Sequence, residues 1–333
     1  MRKNAPCYTT TMKQPMPGVN LGGWLVVEKW MTPSLFEGTD ARDEYGLLLS
    51  KGGPERIEAH RRKFITEKDF KWLKAHYIEA IRIPIGYWLF EEEPPYLTGE
   101  KYLDWAFDMG EKYGIQILIS LHGAPGSQNG KDHSGRKGAV RWYKRKNRQL
   151  TTRVLENLVE RYYVRNNFWG IELLNEPKSS WFFTDFRLWL WTWQRLRDLA
   201  RRYPQVRFVY SDVFAPLKWS GMRKGTLDIH HYQCFSASDK TKSLDEHIKK
   251  AHDLTLTLRT VAAVQPVIIG EWSAALDGMS LGGVSRHESE RRFVRAQLAA
   301  FEQADAWFYW SYKTEDAGSW NFRAVVERGI FEK

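Results

Sequence analysis

The sequence predicts a single (β/α)8 barrel, or TIM barrel, that occupies residues 1–333 as one domain. Short apolar segments rich in β-branched residues recur along the chain, and amphipathic helical segments separate them, which is the pattern of a parallel sheet. The length of 333 residues suits one such barrel with loop insertions. The sequence has no repeats, low-complexity stretches or linkers rich in Ser, Gly or Pro, so nothing in it marks a domain boundary.

Eight strands can be assigned in order along the chain. They lie near residues 18–21, 80–85, 116–121, 169–174, 206–210, 227–231, 267–270 and 307–310. The helical segments between them include residues 66–76, 102–113, 151–163 and 291–303, and Thr66 and Asp69 are expected to form a capping box in the first of these. Eight strand–helix units close into a barrel more readily than into an open sheet.

The charge of the chain does not by itself indicate a nucleic-acid partner. The net charge of +10 comes from 50 Lys and Arg residues against 40 Asp and Glu residues, and most of the basic residues are scattered through helical segments. One dense basic cluster is typical of a solvated helix face, and it consists of Arg141, Lys144, Arg145, Lys146 and Arg148. No nucleic-acid-binding motif accompanies it, so we expect no nucleic-acid partner.

Cysteine usage and the lengths of the apolar runs favour a cytoplasmic protein. Only Cys7 and Cys234 are present, too few for a disulfide framework. No apolar run approaches the length of about 18 residues that a membrane span needs. Residues 1–14 also lack the apolar core of a signal peptide. We therefore expect a cytoplasmic location, or a secreted protein if a leader has been removed. The sequence leaves the oligomeric state open.

Polar residues cluster at the ends of several predicted strands. In a (β/α)8 barrel these carboxyl ends meet at one face, where the following loops form the mouth. Each residue has a structural explanation when taken singly, but their joint placement favours a functional site. The residues are Arg82, His122, Asn175, Glu176, His230, Tyr232 and Glu271. The 16 Trp residues suit a carbohydrate cleft at this face, because sugar rings pack on aromatic rings, although Trp is also ordinary core material.

Two of these residues, Glu176 and Glu271, form a candidate pair for glycoside hydrolysis. A retaining mechanism needs two carboxyl groups about 5–5.5 Å apart, one as nucleophile and one as general acid/base. We predict Glu176 as the acid/base and Glu271 as the nucleophile. The charge of Glu271 is expected to raise the pKa of Glu176, and Arg82 is expected to keep Glu271 ionised. Pro177 is expected to hold Glu176 in extended geometry at the end of strand four.

Asn175 directly precedes Glu176, and its amide suits the 2-hydroxyl of a sugar. Hydrogen bonds to that hydroxyl strengthen as the oxocarbenium-like transition state develops. The tripeptide that Asn175 opens, Asn-Glu-Pro, is too short to identify a family by itself.

The motifs of the chain resemble those of glycoside hydrolase family 5, in its exo-β-1,3-glucanase branch. The resemblance runs through eight ordered blocks that span almost the whole chain. They are GVNLGGWLVVEKWMTPSLFE (18–37), DEYG (43–46), IRIPIGYWLF (81–90), LISLHGAPGSQNG (118–130), LLNEP (173–177), DIHHYQCF (228–235), GEWSAALD (270–277) and WSYKTEDAGSW (310–320). The blocks LHGAPGSQNG and HHYQ are the ones that point to this branch.

The resemblance implies one catalytic barrel domain, the same roles for Glu176 and Glu271, and no metal or cofactor. It also implies a sugar-binding shell in which Trp310 is the hydrophobic floor. By motif position that shell comprises Glu28, Arg82, His122, Asn175, His230, Tyr232, Phe235 and Trp310. Phe235 corresponds to one of two aromatic side chains that clamp the next sugar in the fungal relatives.

The sequence departs from this pattern beside the clamp. Lys131 stands where the second aromatic residue is typical, and His133 replaces a nearby amide residue. Loss of an aromatic face removes stacking, and a cation there is expected to weaken binding of neutral laminari-oligosaccharides and to tolerate an acidic or differently linked aglycone. Tyr312 replaces the second aromatic residue of the last block, and the cysteines that cross-link secreted relatives are missing.

The leading hypothesis is an exo-β-1,3-glucanase, also called glucan β-1,3-glucosidase, which releases glucose from non-reducing ends by double displacement. Its partner is then a β-glucan or β-glucoside substrate. A β-glucosidase, a β-1,6- or β-1,4-glucanase with the same two glutamates, and a transglycosylating enzyme remain alternatives. A glycan-binding pseudoenzyme is disfavoured, because a decayed site usually loses at least one catalytic group and here both glutamates are present.

Overall fold

The computed structural model describes residues 14–179, 182–281 and 283–331. In these residues eight parallel strands close into one barrel in chain order, with the first strand paired to the last. The strands are β1 (Met16–Asn20), β2 (Ala80–Gly86), β3 (Gln116–Gly123), β4 (Phe168–Glu172), β5 (Arg207–Ser211), β6 (Thr226–His231), β7 (Val267–Trp272) and β8 (Ala306–Tyr309). The predicted (β/α)8 fold is confirmed. Cys7 and the N-terminal segment 1–13 lie outside the described residues.

Helices follow the strands around the outside of the barrel. The α-helices are α1 (Glu44–Leu49), α2 (Gly53–Phe64), α3 (Glu67–Ala75), α4 (Glu100–Tyr113), α5 (Arg145–Tyr162), α6 (Phe182–Arg202), α7 (Pro216–Trp219), α8 (Ala237–Lys240), α9 (Leu244–Ala262), α10 (Arg286–Phe301) and α11 (Phe322–Glu327). Short 3-10 helices lie at Pro33–Phe36, Tyr87–Leu89, Asp132–Ser134 and Gly278–Leu281. None of the helices in the described residues combines the length and the hydrophobicity that a membrane span requires.

The predicted helices are present, with shifted starts. Helix α3 has the predicted capping box, in which Asp69 Oδ2 accepts the backbone N–H of Thr66 at 2.7 Å. Helices α4, α5 and α10 begin before the predicted residues 102, 151 and 291. The first turns of these helices are mostly polar, so the spacing of apolar residues from which helices are predicted does not extend to them. The basic cluster lies around the start of α5, where Arg141 and residues 144–146 are exposed, as expected of a solvated face, whereas Arg148 is half-buried.

The interior of the barrel changes from apolar to polar along the strands. In β2, Ile81, Ile83 and Ile85 pack in the core between the sheet and the helices. The residues that alternate with these isoleucines along β2 face the inside of the barrel. Of these, Ala80 belongs to a small apolar cluster at the amino-terminal end of the barrel, together with Leu118, Val209, Ile268, Ala306 and Phe308. Towards the carboxyl ends, the inward positions are polar and buried, and they carry Arg82, Ser120, Glu172 and Asp228. The strand period therefore places charged groups beneath the mouth of the barrel.

A β-bulge in β7 sets the direction of Glu271. Ile229 pairs with Ile269 and His230 pairs with Glu271, so Gly270 is an extra residue in the pairing. The backbone N–H of Gly270 donates to Asp228 Oδ1 at 2.6 Å, and a Cβ atom at this position would lie 2.0 Å from Asp228 Oδ2. Only glycine fits here, and the extra residue brings Glu271 beside His230.

Candidate active site

A cavity of about 390 Å³ opens at the carboxyl ends of the strands. Its size is within the range of small-molecule binding pockets. Eight of the ten predicted site residues line it, namely Glu28, His122, Asn175, Glu176, Tyr232, Phe235, Glu271 and Trp310. The other two, Arg82 and His230, lie directly beneath and contact the two glutamates. The structure therefore brings all ten residues together.

Glu271 lies inside β7 rather than just after it, and four side chains converge on its carboxylate. Arg82 Nη1 donates to Oε1 at 2.9 Å, and the Tyr232 hydroxyl donates to Oε2 at 2.9 Å. His122 Nε2 is 3.5 Å from Oε1, and His230 Nδ1 is 3.4 Å from Oε2. Burial alone raises the pKa of Glu271, but the charge of His230, the contact with His122 and the charge of Arg82 hold that pKa well below its usual range. Glu271 is thus ionised, as a nucleophile must be.

Glu176 does not end β4, and its backbone is not extended. The strand ends at Glu172, and the chain then turns, so that Glu176 has a φ of 41° in the left-handed region. The prediction that Pro177 would keep Glu176 extended is wrong. Hydrogen bonds from the neighbouring loop hold the turn: Gln128 Nε2 donates to the carbonyl of Asn175 at 2.9 Å, and an amide from the same loop donates to the Glu176 carbonyl at 3.2 Å. Such a backbone costs on the order of 1–3 kcal/mol and is typical of functional sites.

Three cation-capable side chains surround the Glu176 carboxylate. His230 Nδ1 lies 2.9 Å from Oε1, while Lys131 Nζ and His133 Nε2 each lie 3.4 Å from Oε2. Burial raises the pKa of Glu176 and so does the charge of Glu271, but the hydrogen bond from His230 and the charge of His133 lower it to about 2. The prediction of a raised pKa is therefore wrong, because it counted only one of the neighbouring charges.

His230 holds a proton next to Glu176. Burial lowers the pKa of His230, but the charges of Glu271 and Asp228, with hydrogen bonds to Asp228 and Glu176, raise it well above 6.5. The imidazole of His230 is therefore protonated at neutral pH, and its Nδ1–H donates to Glu176 Oε1 at 2.9 Å. Transfer along this hydrogen bond would protonate Glu176 without changing the net charge of the site.

The separation of the two glutamates can be compared with the two modes of glycoside hydrolysis. A carboxylate oxygen of Glu176 and one of Glu271 lie within 4.8 Å of each other, and both are close to His230. Retaining enzymes place the two carboxyl groups about 5–5.5 Å apart, whereas inverting enzymes leave about 6.5–9.5 Å for a water molecule. The short separation fits direct attack by one of the carboxylates.

Arg82 is the hub of a buried polar network beneath the pocket, and its side chain is fully buried. Its guanidinium donates to four acceptors, which are Asn20 Oδ1 at 2.8 Å, Glu271 Oε1 at 2.9 Å, Glu172 Oε2 at 2.5 Å and Asn175 Oδ1 at 2.8 Å. A guanidinium only donates, so Asn175 must turn its oxygen towards Arg82. Its buried amide nitrogen then has no partner within the described chain and is available as a donor.

Loss of Arg82 is expected to destabilise the whole protein. We expect Arg82→Met to lower the free energy of unfolding by about 3–5 kcal/mol, because buried carboxylates such as Glu172 lose their cation. Urea unfolding followed by tryptophan fluorescence measures the change. The control is Arg153→Met, which removes an ion pair with Glu91 at 3.3 Å on the surface and should cost under about 1 kcal/mol. Equal losses in the two variants would contradict the central role of Arg82.

Glu28 and the aromatic residues form the wall and floor of the pocket. Glu28 is buried, and its Oε2 accepts the indole N–H of Trp30 at 2.8 Å. Burial raises the pKa of Glu28 to about 8, so Glu28 is largely protonated at neutral pH and can donate a hydrogen bond. Trp310 is buried and stacks on His122 with ring centroids 5.5 Å apart. Phe235 is exposed at the opening.

Several residues of the site were not predicted. Trp30, Asp132, Phe214 and Trp320 also line the pocket. Asn20, Glu172 and Asp228 support it from below. The acids could have been found, because an ionisable residue inside an apolar strand segment is unusual. Phe214 could not, since it lies in an irregular turn with a φ of 57° after β5.

Among the residues that the structure describes, two sets of side chains are close enough together to hold a metal ion. Their members, Glu172 with Asp228 and His230, and Glu176 with His230 and Glu271, have ligand atoms within 4.8 Å of one another. Arg82 donates to a carboxylate in each set and supplies positive charge there. That no metal or cofactor is needed stays a prediction.

Known proteins provide an independent comparison. The chain is 33% identical to a protein named probable glucan 1,3-beta-glucosidase A from Aspergillus niger, with 99% of this chain and 90% of the relative covered. It is 33% identical to a glucan 1,3-beta-glucosidase from Kluyveromyces lactis, with coverages of 94% and 87%. No model of a known protein family matches the sequence.

Solved structures support the fold. A rutinosidase from Aspergillus niger matches with a TM-score of 0.79 and 21% identity over 97% of this chain and 98% of that one. An endoglucanase from Pseudomonas stutzeri matches with a TM-score of 0.62 and 13% identity, over 95% and 92%. These likenesses concern the barrel alone. By its identity to curated relatives over almost its whole length, the chain belongs to the glucan 1,3-beta-glucosidase branch of glycoside hydrolase family 5 and is a glycoside hydrolase.

Proposed function

We propose that this glycoside hydrolase is a retaining exo-β-1,3-glucanase that releases glucose from the non-reducing ends of β-glucans. The observation that carries the proposal is the pair of carboxylates, Glu176 and Glu271, whose oxygens lie within 4.8 Å above the buried Arg82. The names of the curated relatives support the linkage. A pocket with Trp310 as its buried floor suits a single terminal sugar ahead of the bond that is cut.

The first step forms a covalent glycosyl-enzyme. An oxygen of Glu271 attacks the anomeric carbon, and the bond from that carbon to the glycosidic oxygen breaks. His230 passes its proton to Glu176 through their hydrogen bond of 2.9 Å, and the leaving oxygen takes that proton from Glu176, which is left as a carboxylate. The Asn175 amide nitrogen is placed to donate to the 2-hydroxyl as positive charge develops on the sugar ring.

The second step releases glucose. Glu176, now a carboxylate, takes a proton from a water molecule whose oxygen attacks the anomeric carbon, and the ester bond to Glu271 breaks. The electron pair of that bond returns to Glu271, where Arg82 and the Tyr232 hydroxyl stabilise the carboxylate. Two inversions give β-glucose as the first product.

The proton balance predicts the pH profile. Below its raised pKa His230 keeps its proton, and the proton is lost as the pH rises through that value. Because the pKa of Glu271 is depressed, we expect kcat/KM on a neutral glucoside to stay level down to below pH 4.5 and to fall on an alkaline limb above pH 6.5. Glu28, with a pKa of about 8, also titrates in this range. An alkaline limb that disappears in Glu28→Gln would assign the limb to Glu28 and contradict the prediction.

Time-resolved NMR of the products tests the proposal. The substrates are laminaribiose, gentiobiose, cellobiose and laminarin, and the spectra report the linkage preference and the anomer first released. We expect β-glucose, released fastest from the laminari-substrates. Initial α-glucose would overturn the retaining mechanism, and faster release from gentiobiose or cellobiose would favour a β-glucosidase or a β-1,6- or β-1,4-glucanase. Glucosyl transfer products at high sugar concentration would identify a transglycosylating enzyme.

A further inference from the structure

Lys131 places an ammonium group at the opening of the pocket, directly beside the acid/base carboxylate. It lies in the loop between β3 and α5, where its backbone N–H donates to Asn129 Oδ1 at 3.0 Å. Its Nζ lies 3.4 Å from Glu176 Oε2 and 5.8 Å from the ring centre of Phe214, and 56% of the side chain is exposed. The ammonium therefore faces solvent on one side and Glu176 on the other.

Three side chains that can carry a positive charge lie within ion-pair distance of the single carboxylate of Glu176. His230 contacts Oε1, while Lys131 and His133 share Oε2. Within the described residues, no other carboxylate lies within ion-pair distance of Lys131. The neighbouring Asp132 instead accepts the backbone N–H of His133 at 3.1 Å. Lys131 thus has capacity for a second anion on its exposed side.

The geometry of the reaction identifies what passes Lys131. Glu176 must reach the glycosidic oxygen to protonate it, so the leaving group lies on the Glu176 side of that bond and extends towards the opening. Lys131, Phe214 and Phe235 all line the pocket, and the Lys131 ammonium lies 5.8 Å from the ring centre of Phe214. A leaving group that extends past Glu176 therefore also meets the Lys131 ammonium, which lies 3.4 Å from Glu176 Oε2.

We propose that Lys131, with His133, forms a binding position for a carboxylate on the leaving group, so that the enzyme prefers β-glucosides with an acidic aglycone or an acidic next sugar. This inference rests on the proposed retaining function. A substrate carboxylate that pairs with Lys131 also draws the ammonium away from Glu176, so that Glu176 more readily holds the proton it must deliver. The preference then acts on kcat as well as on KM.

The test uses two aryl β-glucosides that differ in one charge. They are 4-carboxyphenyl β-glucoside and its methyl ester, and the readout is the ratio of their kcat/KM values. Comparing the ratio between enzyme variants cancels the intrinsic difference between the two leaving groups. We expect Lys131→Met to lower the acid-to-ester ratio about tenfold, the scale of one hydrogen bond to a charged group. The acid's advantage in the wild-type enzyme should also shrink as salt is added.

A matched control distinguishes a direct contact between Lys131 and the substrate carboxylate from a general electrostatic attraction by the positively charged protein. Lys178 is exposed in the loop that follows Glu176, and its Lys178→Met variant removes the same charge. The acid-to-ester ratio of kcat/KM for Lys178→Met should stay within about twofold of the wild-type ratio, because a solvent-screened charge that does not contact the substrate contributes little. An equal ratio in wild type and Lys131→Met, or an equal drop in both variants, would overturn the proposal.

The experiment gives different results if Lys131 does not bind a substrate carboxylate and if the proposed retaining function is itself wrong. If the ester and laminaribiose are hydrolysed with retention but the acid-to-ester ratio of kcat/KM is the same in Lys131→Met and in wild type, only the binding position for a carboxylate at Lys131 is refuted. If neither glucoside is hydrolysed by folded enzyme, the retaining function is refuted. Binding of the two glucosides to Glu271→Ala, measured by calorimetry, then still decides whether Lys131 favours the acid.

Discussion

Glu271→Ala is expected to lower kcat on laminaribiose by roughly 10⁴-fold or more, because the variant has no carboxylate to form the glycosyl-enzyme. The barrel should remain folded, since Arg82 keeps Glu172, Asn20 and Asn175 as partners. Initial rates of glucose release measure the loss, and near-UV circular dichroism checks the fold. Activity within tenfold of wild type would refute the assignment of Glu271.

Azide distinguishes a lost nucleophile from a damaged site. In Glu271→Ala, azide can enter from the face that the carboxylate occupied, bond to the anomeric carbon and displace an activated aryl leaving group. The product from a β-glucoside is then α-glucosyl azide, which NMR identifies. The Glu37→Ala variant, which alters an exposed glutamate away from the pocket, is the control and should form no azide product. Recovery of β-glucosyl azide from Glu271→Ala would contradict the assigned role.

Glu176→Ala is expected to show a loss that depends on the leaving group. With laminaribiose the rate should fall about 10²- to 10⁴-fold, the usual contribution of a general acid. With 2,4-dinitrophenyl β-glucoside the leaving group needs no proton, so Glu271 still attacks and the glycosyl-enzyme accumulates as a burst of dinitrophenol. Stopped-flow absorbance records this burst.

The deglycosylation step of the Glu176→Ala variant provides a second test of the acid/base role assigned to Glu176. Azide needs no base, so it should attack the accumulated glycosyl-enzyme on the side that Glu176 leaves open and give β-glucosyl azide. The steady-state rate should then rise with azide concentration. Equal losses on both substrates, with no burst and no effect of azide, would assign Glu176 a structural role instead.

Much of the fold and of the site could be predicted from local patterns. The eight strands are short apolar runs, and in a closed barrel their carboxyl ends must meet at one face. That rule alone placed Arg82, His122 and Glu271 near one another, although they are far apart in the chain. The resemblance to family 5 added Glu28, Phe235 and Trp310, which have no local signal of their own.

The errors arose where the outcome depended on several distant segments at once. The residue before a proline normally favours extended backbone, but hydrogen bonds from the loop after β3 hold Glu176 at a φ of 41°. Its pKa depends on the hydrogen bond from His230 and on the charges of His133, His230 and Glu271, which come from one loop and two strands.

The sequence by itself therefore determined the barrel and the face that carries the site, and it selected Glu176 and Glu271 as the candidate catalytic pair, because these follow from strand periodicity and motif order. Only the tertiary structure decided which side chain holds a proton next to Glu176 and which cation lies at the opening of the pocket. Both depend on distances of a few ångström between side chains such as His230, Glu176 and Lys131, and electrostatic interactions fall off with distance in space, whatever the separation along the chain.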